Sequence, residues 1–62
     1  MSDDGSRLLN IAEVSKILGL SESWVRQRVA SNDIPHIRLG GGIRFLENDL
    51  TEWIHSHKVS AQ

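Results

Sequence analysis

The residues with chemistry to offer are four arginines, Arg26, Arg28, Arg38 and Arg44, and a run of three glycines, Gly40 to Gly42, set between the last two. A guanidinium is a permanent cation whose planar fork of N–H donors matches carboxylate and phosphate oxygens. The grouping therefore points to recognition of an anion rather than to bond making. The glycines have two readings, a permissive hairpin turn or a place where backbone approaches a ligand closely. They do not form a dinucleotide loop, because the G-x-G-x-x-G spacing and its strand-to-helix setting are missing. Catalysis lacks its components: there is no cysteine, no Ser/His/Asp set in a supporting order, and too short a chain for a deep cleft. His55 and His57 stand two apart, diverge on a helix and have no third ligand nearby. No catalytic residue, metal or cofactor is expected.

The charge is distributed unevenly. Over its 62 residues the chain has a formal net charge of −1, which taken whole argues against a nucleic-acid partner. Residues 1–23 and residues 46–62 each balance to −2, whereas residues 24–45 hold the four arginines against Asp33 alone and balance to +3. All of that local positive charge is arginine. A domain this short excludes only about 60% of the surface its unfolded chain exposes, so its stability is expected to be marginal. The absence of cysteine removes disulfides and leaves the cytoplasm as the default compartment. No apolar run approaches the roughly 20 residues of a membrane helix, and the acidic start "MSDDGSR" is not signal-like.

The elements that must position the arginines can be read from caps and periodicity. Residues 1–7 lack an apolar period and are expected to be a disordered lead; residues 8–57 form the domain, and residues 58–62 a polar tail. In "LLNIAEVSKILGL" Asn10 is the natural N-cap, Glu13 completes a capping box, Leu9 and Val14 form a hydrophobic staple, and Gly19 supplies the stop. Ser21 caps a second helix, "ESWVRQRVA", with Leu20 and Val25 as its staple pair. Asn32 in the left-handed region and Pro35 end it. Two helices this short, joined by "GLS", read as a helix-turn-helix. Val25 and Val29 face inward, so Ser23, Gln27 and Ala30 point away, with Arg26 and Arg28 at the edges of the exposed stripe. A small, polar, arginine-edged face is one that a DNA major groove admits.

After Pro35 the period becomes two, with Ile37, Leu39, Ile43 and Phe45 alternating with His36, Arg38 and Arg44. Folding this stretch back at Gly41 places Ile37 opposite Phe45, Leu39 opposite Ile43, and Arg38 opposite Arg44. Opposed like charges are destabilising, so an anion between the two arginines would relieve a penalty. A closing helix, "ENDLTEWIHSHK", carries Leu50, Trp53, Ile54 and His57 at i, i+3, i+4 and i+7, with Asn48 or Glu47 as its cap.

The order helix, tight turn, helix, hairpin, helix resembles the small winged helix-turn-helix domain of excisionases, a type shared with MerR-like regulators, AlpA-like prophage regulators and phage terminase small subunits. The pieces that carry the resemblance are "NIAEVS", the "LGLS" turn, the S-x-x-W-V opening of the second helix, "IPHIR" leading into the wing, and "RF" followed by "DLTEWI". The resemblance implies an α+β, mostly helical fold: helix-turn-helix, two-stranded β-hairpin wing and closing helix. It places Ser21, Ser23, Trp24, Arg26, Gln27 and Arg28 in or beside a major groove. Arg38, Gly40, Gly41, Gly42 and Arg44 would lie against the neighbouring minor groove or its phosphates. Gln27 suits adenine, and Arg26 guanine or phosphate. Arg28 has a second reading along the core or paired with an acid, and Trp24 can stack on sugar and backbone or pack under the hairpin. Wing tips of this type are often basic and here the tip is bare glycine. Ser15 stands where alanine is common, and Asn32 where glycine is usual.

The implied function is that of a recombination directionality factor. It would be a non-enzymatic protein that binds double-stranded DNA cooperatively and bends attachment sites, turning a phage or mobile-element integrase toward excision in a bacterial or phage-infected cell. The expected partners are double-stranded DNA, an integrase or recombinase, and further copies of the chain, with no membrane and no small-molecule substrate. The alternatives are a small transcription regulator, a terminase-small-subunit-like module and a protein-interaction adaptor.

Overall fold

The computed structural model describes residues 7–59. The order is β1 (Leu8–Leu9), α1 (Ile11–Leu18), α2 (Glu22–Ala30), β2 (Ile37–Leu39), β3 (Gly42–Leu46) and α3 (Glu47–Ser56). The three strands make one antiparallel sheet in the order β1-β3-β2. This is a winged helix-turn-helix whose wing is the β2–β3 hairpin. No helix among the described residues is long and apolar enough to cross a membrane. Residues 1–6 of the expected lead and residues 60–62 of the polar tail lie outside the described residues; Arg7, the last residue of that lead, is described, pairs with Glu13 and accepts from the Glu47 amide through its carbonyl.

Caps account for where α1 and α2 begin and end. The Glu13 amide donates to the Asn10 side chain at 2.8 Å and the Glu13 carboxylate accepts from the Asn10 amide at 2.9 Å, the reciprocal capping box. Leu9 and Val14 on either side are both buried, as a staple requires. At the far end Gly19 has φ 71, and the Leu20 and Gly19 amides donate to the Ser15 and Lys16 carbonyls. That double closure is the Schellman motif. The end of α2 repeats it with Asn32 at φ 59, Asn32 donating to the Val29 carbonyl and Asp33 to the Arg28 carbonyl. Asparagine does glycine's backbone work here because its short polar side chain tolerates the left-handed region. Ser21 caps α2 by accepting from the Trp24 amide at 3.0 Å. The staple expected at this second cap does not close: Val25 is buried but Leu20 is 44% exposed and stands outside the core.

The core is a single cluster of Leu9, Val14, Val25, Val29, Ile34, Phe45 and Leu50, with Ile11, Leu18, Trp24, Ile43 and Trp53 packed around it. Each fully buried side chain contributes roughly 1.5–3 kcal/mol, so a cluster this small leaves little margin for any loss. Of the expected inner stripe of α3, Leu50 is buried and Trp53 half-buried, while Ile54 and His57 lie toward solvent. The Trp53 indole N–H donates to the Asp33 carbonyl at 2.9 Å and ties α3 to the loop after α2.

Three expectations are corrected. First, Leu8 and Leu9 precede the cap as a strand, pairing with Leu46 and Phe45. Two residues carry no period from which a strand can be read. Second, neither Asn48 nor Glu47 caps α3. The helix starts at Glu47 directly after β3, Leu46 stands at the N-cap without a side-chain bond, and the Glu47 amide donates to the Arg7 carbonyl at 2.9 Å. Because β3 must run to Leu46 to pair with Leu8, the β1 chain supplies the acceptor that a cap would have supplied. Third, the hairpin register is shifted: Ile37 pairs with Arg44, Arg38 with Ile43, and Leu39 with Gly42. Arg38 and Arg44 are therefore not opposed, and the repulsion inferred between them does not arise.

The reason for the shift lies in the turn. A three-residue loop centred on Gly41 would put its left-handed residue last, at Gly42. The positive φ, 59, is instead at Gly40, the first central residue of a two-residue turn of type II′, whose twist matches that of the strands. Moving a register by one residue transfers every side chain of a strand to the other face. Arg38 consequently shares a face with Ile43 and the buried Phe45, and Arg44 shares the outer face with Ile37, Leu39 and Gly42.

Candidate nucleic-acid interface

The exposed side of α2 is built by its inward pair. Val25 and Val29 are buried, and Ser23, Arg26, Gln27 and Ala30 are exposed. Ser21 is exposed too, but its Oγ is engaged in the cap. Arg26 lies 3.4 Å from Glu22 one turn earlier, an exposed i, i+4 pair. Sequence reasoning passed over Glu22, although its spacing from Arg26 was the available signal. Such a pair is worth only about 0.3–0.5 kcal/mol, so it tempers the arginine without fixing it.

Trp24 and Arg28 are held within the fold. Trp24 is half-buried against the core, its ring edge-on to Trp53 with centroids 6.5 Å apart. The Arg28 guanidinium carbon sits 5.3 Å from the Trp24 ring centroid, and its Nη1 lies 3.5 Å from an Asp33 carboxylate oxygen. The Arg28 Nε is buried and has no partner among the described residues. Of the two geometries open to Arg28, this is the one along the core and paired with an acid. For Trp24 it is packing, against α3 rather than under the hairpin. Asp33 is a second residue that sequence reasoning gave no role, and it anchors both Arg28 through its side chain and Trp53 through its carbonyl.

The hairpin presents its cations differently. Arg38 is exposed and makes no ion pair among the described residues, where the pairs are Arg7–Glu13, Arg26–Glu22 and Arg28–Asp33. Arg44 is exposed as well and is likewise outside those pairs; its Nη1 donates to the Ile43 carbonyl at 2.7 Å. That bond folds the guanidinium toward the turn, over Gly42, where an added Cβ would come within 3.3 Å of Nη1. Gly40 and Gly41 form the turn itself.

Among the described residues, the +3 excess of the middle segment thus resolves into two arginines with carboxylate partners and two without. Electrostatically, the wing is where an anion meets guanidinium groups that need not first leave an acid. The described residues hold no cluster of His, Asp, Glu or Cys suited to a metal ion. A shallow apolar groove lies between Leu18, Leu20, Trp24, Trp53 and Ile54, away from the wing residues.

Comparison with known families finds a helix-turn-helix domain matching residues 8–58. No curated protein and no solved structure matches the chain.

Proposed function

The chain belongs to the helix-turn-helix domain family, and from that premise we propose that it acts as an excisionase. In this reading α2 lies in the major groove of double-stranded DNA, with Ser23, Gln27 and Arg26 toward base edges and phosphates. The wing arginines Arg38 and Arg44 lie against the neighbouring backbone. The observation that carries the reading is that these two wing guanidinium groups are exposed and, among the described residues, without carboxylate partners, beside a helix whose outer face is small and polar. Arg28 and Trp24 serve by holding α2 in place.

Magnitudes support a role as an architectural protein that assembles with others. Four phosphate-neutralising arginines would give a salt dependence with slope of about −3.6, and with Arg28 kept in the fold the figure becomes about −2.7. A single module of this kind buries roughly 600–1,000 Å². One copy binds weakly, so several copies on adjacent sites, or an integrase already on the DNA, supply the remaining affinity. The groove bounded by Leu20, Trp24, Trp53 and Ile54 is an apolar surface available to such a protein partner.

The test is an electrophoretic titration on duplexes carrying one, two or three copies of a site selected by the protein, with bending read by circular permutation. Cooperative loading that grows with site number, accompanied by bending, is expected. Tight binding of a lone copy to a single site, with no dependence on site number, overturns the architectural role in favour of a simple regulator.

A further inference from the structure

Two contacts that the fold leaves unmade meet at one place. Leu20 does not close its staple and is 44% exposed, and Ile54, expected on the inner stripe of α3, is 36% exposed. Both line the apolar groove, beside Leu18, Trp24 and Trp53. A contiguous apolar surface left open in this way is one that another molecule covers. The order of charge along α3 says which molecule. Its first half carries Glu47, Asp49 and Glu52, and its end leads into His55, His57 and Lys58. Of the described residues that line the groove, Lys58 is charged and none is a carboxylate. The matching surface is therefore an apolar helix with its acids at the opposite end, and α3 turned around is such a helix.

We propose that two copies of the chain pair through antiparallel α3 helices, each setting Ile54 against the other at the edge of the groove. The stripe Glu47, Thr51, Ile54 and Lys58 makes the match specific, because its spacing of four, three and four residues is that of a coiled-coil seam. Thr51, Ile54 and Lys58 are exposed and Glu47 half-buried, and neither Glu47 nor Lys58 makes an ion pair among the described residues. Laid antiparallel on itself, the stripe sets Glu47 against Lys58 and Thr51 against Ile54, twice over. The interface is isologous and closes at two copies. The acidic N-terminal half of each helix also meets the negative dipole end of neither, since its neighbour there is Lys58. With ten residues α3 is short, about 15 Å, and a contact of that length falls below the roughly 1,000 Å² of a stable interface. Free copies therefore pair weakly, and more strongly once a duplex holds them side by side. The pairing follows from α3 and the groove; its use on DNA rests on the reading above, where a two-fold pair calls for half-sites in inverted order.

The chain has no cysteine, so introduced thiols report the register. Full-length Thr51→Cys and Ile54→Cys chains, mixed in equal amounts in a glutathione redox buffer, are expected to form their mixed disulfide about tenfold faster than Asp49→Cys with Ile54→Cys, because pairing raises the effective concentration of facing thiols. Asp49 lies on the far side of α3 from the stripe and serves as the control. Lys58→Glu in both chains should slow the reaction about two- to fivefold, and adding Glu47→Lys should restore it, the two charges having exchanged places. In sedimentation equilibrium, which needs no substitution, the mass of the wild-type chain should rise with concentration toward two copies and no further. Equal rates for the two mixtures, a charge reversal that is not rescued, or a mass that stays at one copy or climbs past two overturns the pairing. On duplexes selected by the chain, inverted half-sites should hold two copies more tightly than the same half-sites in direct order, and the opposite preference overturns it as well. A wild-type chain that retains no duplex defeats the DNA-binding reading instead, and leaves the disulfide and sedimentation results standing.

Discussion

The second helix and the wing each carry two arginines, and they use them in opposite ways. On α2, Arg26 leans on Glu22 and Arg28 is clasped by Asp33 and the face of Trp24. On the hairpin, Arg38 and Arg44 make no ion pair among the described residues. The same side chain is thus a structural brace in one place and an available cation in the other. Local composition, which counts all four alike, cannot separate the two uses. Under the function proposed above, the difference also divides the labour of recognition: α2 offers shape and hydrogen-bonding groups with its charge tempered, whereas the wing offers charge with little else attached.

The comparison collapses altogether if the frame is lost. Phe45 is fully buried on β3, the central strand, where it pairs with Leu9 of β1. Phe45→Ala is expected to cost about 3–5 kcal/mol, enough to unfold a domain of this size, and thermal melting by circular dichroism reads it. Arg28→Ala breaks only the brace. The expected loss is about 1 kcal/mol of stability from the stacked and hydrogen-bonded guanidinium, with the salt slope of DNA binding unchanged, checked by urea unfolding beside a binding series. The smallest effect sharpens the comparison from the other side. Glu22→Gln releases Arg26 at a stability change of a few tenths of a kcal/mol and is expected to raise affinity at low salt, making α2 behave more like the wing. An unchanged or lower affinity would mean that Arg26 does not approach the DNA.

What was legible in the sequence was whatever is written in short-range spacing. Asn10 and Glu13 three apart, Gly19 and Asn32 at helix ends, and Val25 and Val29 one turn apart state their roles locally, because capping and amphipathicity are properties of adjacent turns. The wing's alternation was legible for the same reason. Its register was not, since three glycines accommodate a turn of either parity, and the choice rests on which one takes the left-handed conformation. That single residue decided whether Arg38 and Arg44 face each other or face apart. The β1 strand was hidden because two residues have no period, and with it went the acceptor that makes a side-chain cap on α3 unnecessary. Trp24 and Arg28 had two readings each because their surroundings are set by Trp53 and by the loop at Asp33, contacts that no local window contains.

The division between brace and available cation is tested most directly by running the salt series on Arg28→Ala and Arg44→Ala side by side with wild type. The expected result is a slope reduced by about 0.9 for Arg44→Ala and unchanged for Arg28→Ala. A slope that falls for Arg28→Ala and stays constant for Arg44→Ala would contradict it.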